Sequence, residues 1–383
     1  MVKALLFGSN GFLGSHLQSK LEGEVIGVNI RQQNWKGNIP DDANVFVNCI
    51  GKAHDHKGTA TEDDFYFANF ELVKVLFEEF LKSNAQIFIH ISSIAAVEEN
   101  ERTEVLTENS VGNPQSHYGK SKKAAEEYLL KQSLPSGKKI FILRPTMIHG
   151  EGDKGNLTLL YKIISKGIPY PLGAFQNSRT FISVDNVVFL INEIIKKHTE
   201  MKGGVYHITD DEPLSTQKII EIIGAAKGKK PLILSPPKFL INVLAKFGDM
   251  ISLPINSKRL KKMTSNLIVS NQKIKTALNI DSLPITAEEG MKKTIQRVLA
   301  AVILFAMILS GGFSEVGKVH AEKQQGTTKR AIYVVFDNSG SMYGDGNKAW
   351  SQATYAMEVF AAMMNYESGD VMKVFPIDRK SVV

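Results

Sequence analysis

Residues 2–14, VKALLFGSNGFLG, join an apolar run to a glycine-rich loop at the start of the chain. The run 2–7 predicts a β-strand, and Gly8, Gly11 and Gly14 follow it at intervals of three residues. The first glycine permits a sharp turn, the second lets the backbone approach a pyrophosphate, and the third lets the next helix pack closely. A helix N-terminus also favours phosphate, because its N–H groups are free there. This stretch therefore predicts a dinucleotide site made by six residues, Gly8, Asn10, Gly11, Phe12, Leu13 and Gly14.

A tyrosine and a lysine one helical turn apart form a second candidate group. Tyr118 and Lys122 lie in a predicted helix, where residues four apart share a face. We expect the Lys122 ammonium to favour the phenolate and so to lower the pKa of Tyr118 from its ordinary value of about 10. The pair Ser92-Ser93 ends a predicted strand, and a serine hydroxyl beside Tyr118 would hydrogen-bond the same reacting oxygen. Together these residues predict proton transfer at a sugar hydroxyl or carbonyl while a bound cofactor moves hydride.

Composition indicates a globular chain with room for more than one domain. It has 383 residues, of which 43% are hydrophobic, and a net charge of +7. The basic runs 227–230 and 258–262 are interpreted as solvated helix faces, which argues against a nucleic-acid partner; attraction of an anionic nucleotide sugar or membrane surface is the alternative. The single cysteine, Cys49, excludes an internal disulfide and argues against thiol catalysis or a cysteine metal site.

Strand-like apolar runs alternate with helical stretches from residue 2 to residue 143. This alternation predicts an α/β fold with a Rossmann-like doubly wound parallel sheet. We assign residues 1–150 to an NAD(P)-binding Rossmann core and residues 151–297 to a smaller substrate lobe interleaved with it. Ligands of such sheets bind above the carboxyl ends of the strands, so the substrate is expected in the cleft between the lobes.

The order of these motifs resembles that of the extended short-chain dehydrogenases/reductases over residues 2–297. These are NAD(P)-dependent nucleotide-sugar epimerases, dehydratases and reductases. Two further stretches support the resemblance: 42–51, DANVFVNCIG, and 143–150, LRPTMIHG. The resemblance implies Tyr118 as acid/base, Lys122 and Ser93 as its partners, and a helix-paired homodimer. It also adds three residues to the cofactor site, Gly51, Asn69 and Pro145. The single cysteine, which allows no internal disulfide, favours a cytoplasmic location for the enzyme part.

Residues 154–187 are similar to the branch of that family that reduces UDP-4-keto-sugars, such as the N-acetylquinovosamine dehydrogenases. The resemblance implies that Asn156 and Leu157 approach the nucleotide and that Arg179 clamps the diphosphate, with Ser92 also near the substrate. An arginine fork matches phosphate oxygens, which supports that role. The alternative for Arg179 is a solvated turn arginine.

Departures from the family pattern reduce the number of reactions that this chain could catalyse. Dehydratases of the family carry Asp-Glu directly after the catalytic hydroxyl residue, whereas Ser93 is followed by residues 94–97, IAAV, which argues against dehydration. Alignment on Val97 would place Ile94 where some epimerases have their hydroxyl, but the interval of 25 residues to Tyr118 favours Ser93. We expect a UDP-4-keto-sugar reductase of surface-polysaccharide precursor synthesis. The alternatives are a UDP-sugar 4-epimerase, which would use the same residues, and a non-catalytic NAD(P)-binding regulator.

The end of the second predicted strand bears on the form of the cofactor. NAD enzymes usually have a carboxylate there for the ribose 2′-hydroxyl, whereas this chain has Asn29 and then Arg31. An arginine suits a 2′-phosphate. The sequence therefore favours NADP, with NAD as the alternative.

Residues 291–321 are typical of a secretory signal peptide. A basic stretch, 291–297, precedes the apolar run 298–309 and a small-residue cleavage site at 319–321. The alternatives are a membrane anchor over residues 298–312 or a buried helix, although the run is shorter than the roughly 20 residues that a membrane span needs.

Residues 322–383 are similar to the start of a von Willebrand factor A domain. A predicted strand over 331–336 runs into Asp337, Ser339 and Ser341, which resemble part of its metal-ion-dependent adhesion site. Carboxylate and hydroxyl oxygens suit Mg²⁺, but the family completes the site from later loops that this fragment does not reach. We infer that the chain joins a cytoplasmic enzyme to the beginning of a secreted protein. A metal-dependent adhesion fragment is the corresponding alternative function.

Overall fold

The computed structural model describes residues 2–53, 59–153, 157, 160, 161, 164, 167–250, 257–297, 331–337 and 371–377. The chain divides into two compact units, Met1–Lys293 and Thr294–Val383. The first unit carries every predicted enzyme motif.

Strands and helices alternate through the first half of the first unit. Their bounds are β1 Lys3–Phe7, α1 Phe12–Lys20, β2 Glu24–Val28, β3 Val45–Asn48, α2 Glu62–Tyr66, α3 Leu72–Lys82, β4 Ile87–Ile91, α4 His117–Leu130 and β5 Lys139–Pro145. The second half is more irregular, with β6 Met147–His149, β7 Phe181–Ser183, α5 Val184–Lys197, β8 Gly204–Ile208, α6 Thr216–Ala226, α7 Lys238–Met250, α8 Ser257–Thr264 and α9 Gln272–Leu278. A last helix, α10, covers residues 287–297.

Six strands form one sheet in the order β2-β1-β3-β4-β5-β8. All five neighbouring pairs run parallel. The chain leaves β1 towards β2 on one side and then returns to β3 on the other, so the order reverses at β1. This is the topological switch point at which doubly wound sheets bind ligands. The predicted fold class is confirmed.

Both faces of the sheet are covered, which explains why the central strands are apolar at nearly every position. On one face, Leu17 of α1 and Leu190 and Ile191 of α5 pack in one core cluster. On the other, Phe77 of α3 and Leu129 of α4 pack in a second. The sheet is therefore fixed from both sides, and the carboxyl ends of its strands are held in register.

The segments after β5 form a second, smaller parallel pair, β6 with β7. Beside it, the buried Asp210 carboxylate accepts a hydrogen bond from Asn186 Nδ2 at 2.7 Å and from the Ser183 N–H. Helix α10 joins this region through an ion pair of 2.6 Å between Lys293 and Asp185. Met291, where the predicted signal peptide begins, is fully buried in α10. The start of that predicted segment is thus part of a packed helix.

In the second unit, the described residues form two strands, β9 Ala331–Asp337 and β10 Val371–Ile377, which pair in parallel. Asp337 ends β9, while Ser339 and Ser341 of the predicted metal site, and residues 298–321 of the predicted signal peptide, lie outside the described residues. Within the described part of the chain, no group of three or more His, Cys, Asp or Glu side chains could hold a metal ion. Nor does any helix of that part combine the length and apolarity that crossing a membrane requires.

Candidate active site

The glycine loop lies at the switch point, between β1 and α1. Gly8 has a φ of +87°, in the left-handed region that favours glycine, and the Gly11 N–H donates to its carbonyl at 3.0 Å. A Cβ on Gly14 would lie 2.0 Å from the Gly8 oxygen, so α1 approaches the loop as closely as glycine allows. Helix α1 begins at Gly11 without a side-chain cap and has no acid in its first turn. The loop therefore fits an anionic pyrophosphate.

Asn69 joins three segments around the end of β3. It is fully buried and lies in a wide π-type turn, Phe67–Glu71, between α2 and α3. Its side-chain oxygen accepts from the Lys52 N–H at 2.8 Å, and its amide donates to Ser121 Oγ of α4 at 3.0 Å. Gly51 lies against both Asn69 and Lys122. Asn69 thus connects the loop after β3 to the helix that carries the predicted catalytic residues.

Ser93 and Tyr118 are brought together by close packing between α4 and the turn after β4. Ser93 caps a short 3₁₀ turn by accepting from the Ala95 N–H at 3.2 Å. A Cβ on Gly119 would lie 2.4 Å from the Ala95 carbonyl, so only glycine lets the two segments approach this closely. The Ser93 side chain thereby lies near enough to the Tyr118 phenol to act on its pKa.

The pKa of the Tyr118 phenol is raised, contrary to the sequence-based expectation. Burial is the main cause, and the Glu99 carboxylate adds to it, whereas the polar Ser93 side chain acts in the opposite direction. Glu99 is held nearby because it accepts hydrogen bonds from Ser116, the N-cap of α4. Desolvation therefore sets the direction of the shift, and the expected lowering by Lys122 is not among its causes.

Lys122 extends from α4 to the end of β4, where its ammonium donates to the Ile91 carbonyl at 2.9 Å. Burial lowers its pKa to about 8, although the neighbouring Cys49 and Glu126 act to raise it. Burial also raises the pKa of the Cys49 thiol to about 12, so that group stays protonated at neutral pH. Lys122 is consequently a lysine that can change charge close to physiological pH.

A buried ion pair below Lys122 was missed by the sequence analysis. Glu126 of α4 accepts from Arg144 of β5 through both carboxylate oxygens, with a shortest distance of 2.6 Å. The hydroxyl of Ser92 donates to the same carboxylate. The i, i+4 spacing of Lys122 and Glu126 was the sequence feature that could have placed a carboxylate on the same helix face as Lys122. Ser92, predicted to face the substrate, is instead buried in this network, because burying Glu126 requires hydrogen-bond donors.

The structure distributes the other predicted residues over separate segments. Pro145 is buried at the end of β5, in register with Ile208 of β8. Arg31 follows β2 as an exposed residue whose N–H donates to Asn29 Oδ1 at 3.1 Å. Arg179 lies just before β7. Its guanidinium donates to Ser265 Oγ at 2.7 Å, and this hydrogen bond holds the Arg179 side chain in place. Leu157 is buried and Asn156 lies outside the described residues.

Comparison with known proteins agrees with this geometry. UDP-glucose 4-epimerase of Vibrio cholerae is 29% identical, over 78% of this chain and 95% of its own length. An N-acetyl-α-D-glucosaminyl-diphospho-ditrans,octacis-undecaprenol 4-epimerase of Escherichia coli O157:H7 is 24% identical, over 76% and 94%. The structure of a Bacillus cereus UDP-glucuronic acid 4-epimerase with NAD has the same fold, with a TM-score of 0.58 and 18% identity over 78% and 99%.

A model of the NAD dependent epimerase/dehydratase family matches residues 4–209, more than half of the chain. The matched region includes the glycine loop, Ser93, Tyr118 and Lys122, which the fold gathers around the carboxyl ends of β1, β3 and β4. This chain therefore belongs to the NAD dependent epimerase/dehydratase family.

Proposed function

We propose that this protein is a 4-epimerase of a diphosphate-linked sugar, most simply a UDP-sugar, and that it uses bound NAD. The observation that carries the proposal is the placement of Ser93 beside Tyr118 with Lys122 one helical turn along α4, next to a loop that fits pyrophosphate. Two relatives that this chain covers almost end to end are named 4-epimerases. Their names favour epimerisation over the reduction that the sequence alone suggested.

In this proposal Tyr118 removes the proton of the C4 hydroxyl. It returns a proton to the same oxygen after the sugar ring has rotated to present its other face. Ser93 donates a hydrogen bond to that oxygen, and Lys122 keeps positive charge near the phenolate. NAD bound there would supply the hydride acceptor and donor for C4, together with a positive charge that would favour the Tyr118 phenolate. Gly8, Gly11, Gly14, Gly51 and Asn69 would hold the cofactor.

A UDP-4-keto-sugar reductase is the second candidate. The raised pKa of Tyr118 favours it, because a protonated phenol is the form that reduction needs at its start. The similarity of residues 154–187 to that branch is the other support, with Arg179 as the proposed diphosphate ligand. Both reactions need the same three side chains, so the substrate assay has to separate them.

The test uses the purified full-length chain with NAD and either UDP-glucose or UDP-N-acetylglucosamine. Epimerisation would change the configuration at C4, read by NMR, with no net change in nicotinamide absorbance. A reductase would instead consume NADH or NADPH in step with a UDP-4-keto-6-deoxy-N-acetylhexosamine. Activity in neither assay would favour a non-catalytic NAD(P)-binding regulator.

The form of the cofactor has its own test. If Arg31 binds a 2′-phosphate, Arg31→Ala should weaken NADPH binding and leave NADH binding unchanged, as measured by calorimetry. If wild type and Arg31→Ala bind NADPH with equal affinity, Arg31 does not bind a 2′-phosphate. That result would assign NAD, the cofactor in the family's name.

Three other predictions from the sequence stay proposals: a homodimer, a cytoplasmic enzyme, and a chain that joins two genes near residue 291. Sedimentation equilibrium tests the dimer, and fractionation of cells tests the location. Intact mass tests the join, because a stable endogenous species of 42.3 kDa would count against an artefactual fusion.

A further inference from the structure

Residues 227–264 have a larger net positive charge than the whole chain. They include nine Lys or Arg residues and one acid, Asp249, for a net charge of +8, whereas the whole chain has a net charge of +7. Asp249 accepts hydrogen bonds from the N–H and hydroxyl of Ser257. This stretch of sequence is therefore strongly cationic, whereas the rest of the chain is nearly neutral.

Helix α7, in the middle of that stretch, has apolar residues on two of its faces. Ile241 and Ala245, four residues apart, are buried against the protein. Four other large apolar residues face solvent, with exposed fractions of 44% to 64%: Phe239, Leu240, Val243 and Leu244. We call these four residues the α7 face. A helix on the surface of a water-soluble protein normally presents polar residues to solvent. The α7 face is apolar instead, which makes it suited to binding a partner.

Further exposed apolar residues lie on the segment before α7. Leu232 and Leu234 are exposed, and their strand segment pairs with Tyr170, two residues after the exposed Ile168. Of the thirteen large apolar residues that are exposed in the described part of the chain, seven lie on this segment, on α7 or at Ile168. Exposed lysines flank them: Lys229, Lys230, Lys238, Lys246 and Lys261.

We propose that the α7 face and its flanking lysines bind an anionic lipid bilayer. Large apolar side chains enter the boundary between headgroups and acyl chains, while lysines meet the anionic headgroups. Helix α7 has 13 residues and is about 20 Å long, so it lies on the membrane and does not cross it. A second copy of the chain is a poorer occupant, because pairing this face with itself would bring like charges together. Nucleic acid would match the lysines but leave the apolar residues in water.

Cosedimentation of the full-length protein with vesicles tests the proposal. Vesicles of phosphatidylglycerol and phosphatidylcholine should bind the protein, and vesicles of phosphatidylcholine alone should bind it much less. The double variant Leu240→Glu/Leu244→Glu should bind the anionic vesicles at least about tenfold more weakly, since it removes apolar contact and adds charge. Val111→Glu is the matched control, because Val111 is 84% exposed and lies far along the chain from α7.

A second variant, Lys238→Gln/Lys246→Gln, keeps the apolar residues and should weaken anionic-vesicle binding several-fold, as should added salt. It decides the question if the glutamate variant fails to fold. The proposal is wrong if wild-type protein ignores anionic vesicles or if the variants of α7 bind as wild type does, which would assign any binding to another segment. It is also wrong if the glutamates abolish only self-association, as measured by light scattering. None of these outcomes depends on enzymatic activity.

Discussion

Helices α4 and α7 depart from the usual burial pattern in opposite directions. Helix α4 buries polar groups, with Ser121, Lys122 and Glu126 each less than 5% exposed, whereas α7 exposes four large apolar residues. Helix α4 can do so because each buried group has a partner: Asn69 for Ser121, the Ile91 carbonyl for Lys122, and Arg144 for Glu126. The comparison teaches that a broken pattern with partners inside indicates a fixed active site, and one without them indicates an external partner.

The largest expected effect is at the phenol of α4. Tyr118→Phe removes the proton donor and acceptor but keeps the ring, so kcat should fall about a thousandfold while the fold is retained. Steady-state assays with the UDP-sugar and circular dichroism would measure both. Full activity in this variant would remove Tyr118 from the chemistry.

Because of the buried ion pair, substitutions on α4 should lower the free energy of unfolding far more than substitutions on α7. Glu126→Gln leaves the Arg144 guanidinium without a counter-charge in the core, so the free energy of unfolding should drop by about 3 kcal/mol. Urea denaturation measures it, with Glu127→Gln on the exposed side of the same helix as control. An equal loss in both variants would mean that helix propensity, and not the ion pair, is responsible.

The glycine loop should respond to a single methyl group. In Gly14→Ala the new Cβ would meet the Gly8 carbonyl at 2.0 Å, so α1 must move away and NAD binding should weaken by at least about tenfold. Gly37→Ala is the control, because its Cβ would meet nothing nearer than 3.8 Å. Unchanged NAD affinity in Gly14→Ala, read by calorimetry, would move the pyrophosphate elsewhere.

The pKa of Lys122 predicts a basic limb in the pH profile. The charged ammonium is the active form, so kcat/KM should be lost as the pH rises through about 8. Because the Glu126 charge raises that pKa, Glu126→Gln should move the limb to lower pH by up to about one unit, and Glu127→Gln should leave it in place. A limb that stays fixed in Glu126→Gln would belong to another group.

The smallest expected effect is on the stability of α7. Leu244 is 58% exposed, so Leu244→Glu should change the free energy of unfolding by less than about 0.5 kcal/mol in the absence of lipid. A loss of several kcal/mol in urea denaturation would show that the α7 face is covered within the protein, and the contrast with α4 would fail.

Several features of the site could be read from local sequence. The loop Gly8–Gly14 is defined by glycine spacing directly after a strand, and the pair Tyr118 and Lys122 by helical spacing, so both are visible without a fold. The serine pair shows where local sequence stops being sufficient. Ser92 and Ser93 are adjacent at a strand end, and only packing decides that Ser93 meets Tyr118 while Ser92 meets Glu126.

The sequence by itself determined the α/β alternation, the dinucleotide loop, the family resemblance and the pair Tyr118 and Lys122, because each depends on patterns among residues close together in the chain. Only the tertiary structure decided the raised pKa of Tyr118, the lowered pKa of Lys122, the Glu126–Arg144 pair and the exposure of the α7 face. Desolvation and burial are set by segments far apart in the chain that the fold brings together. No local pattern carries that information.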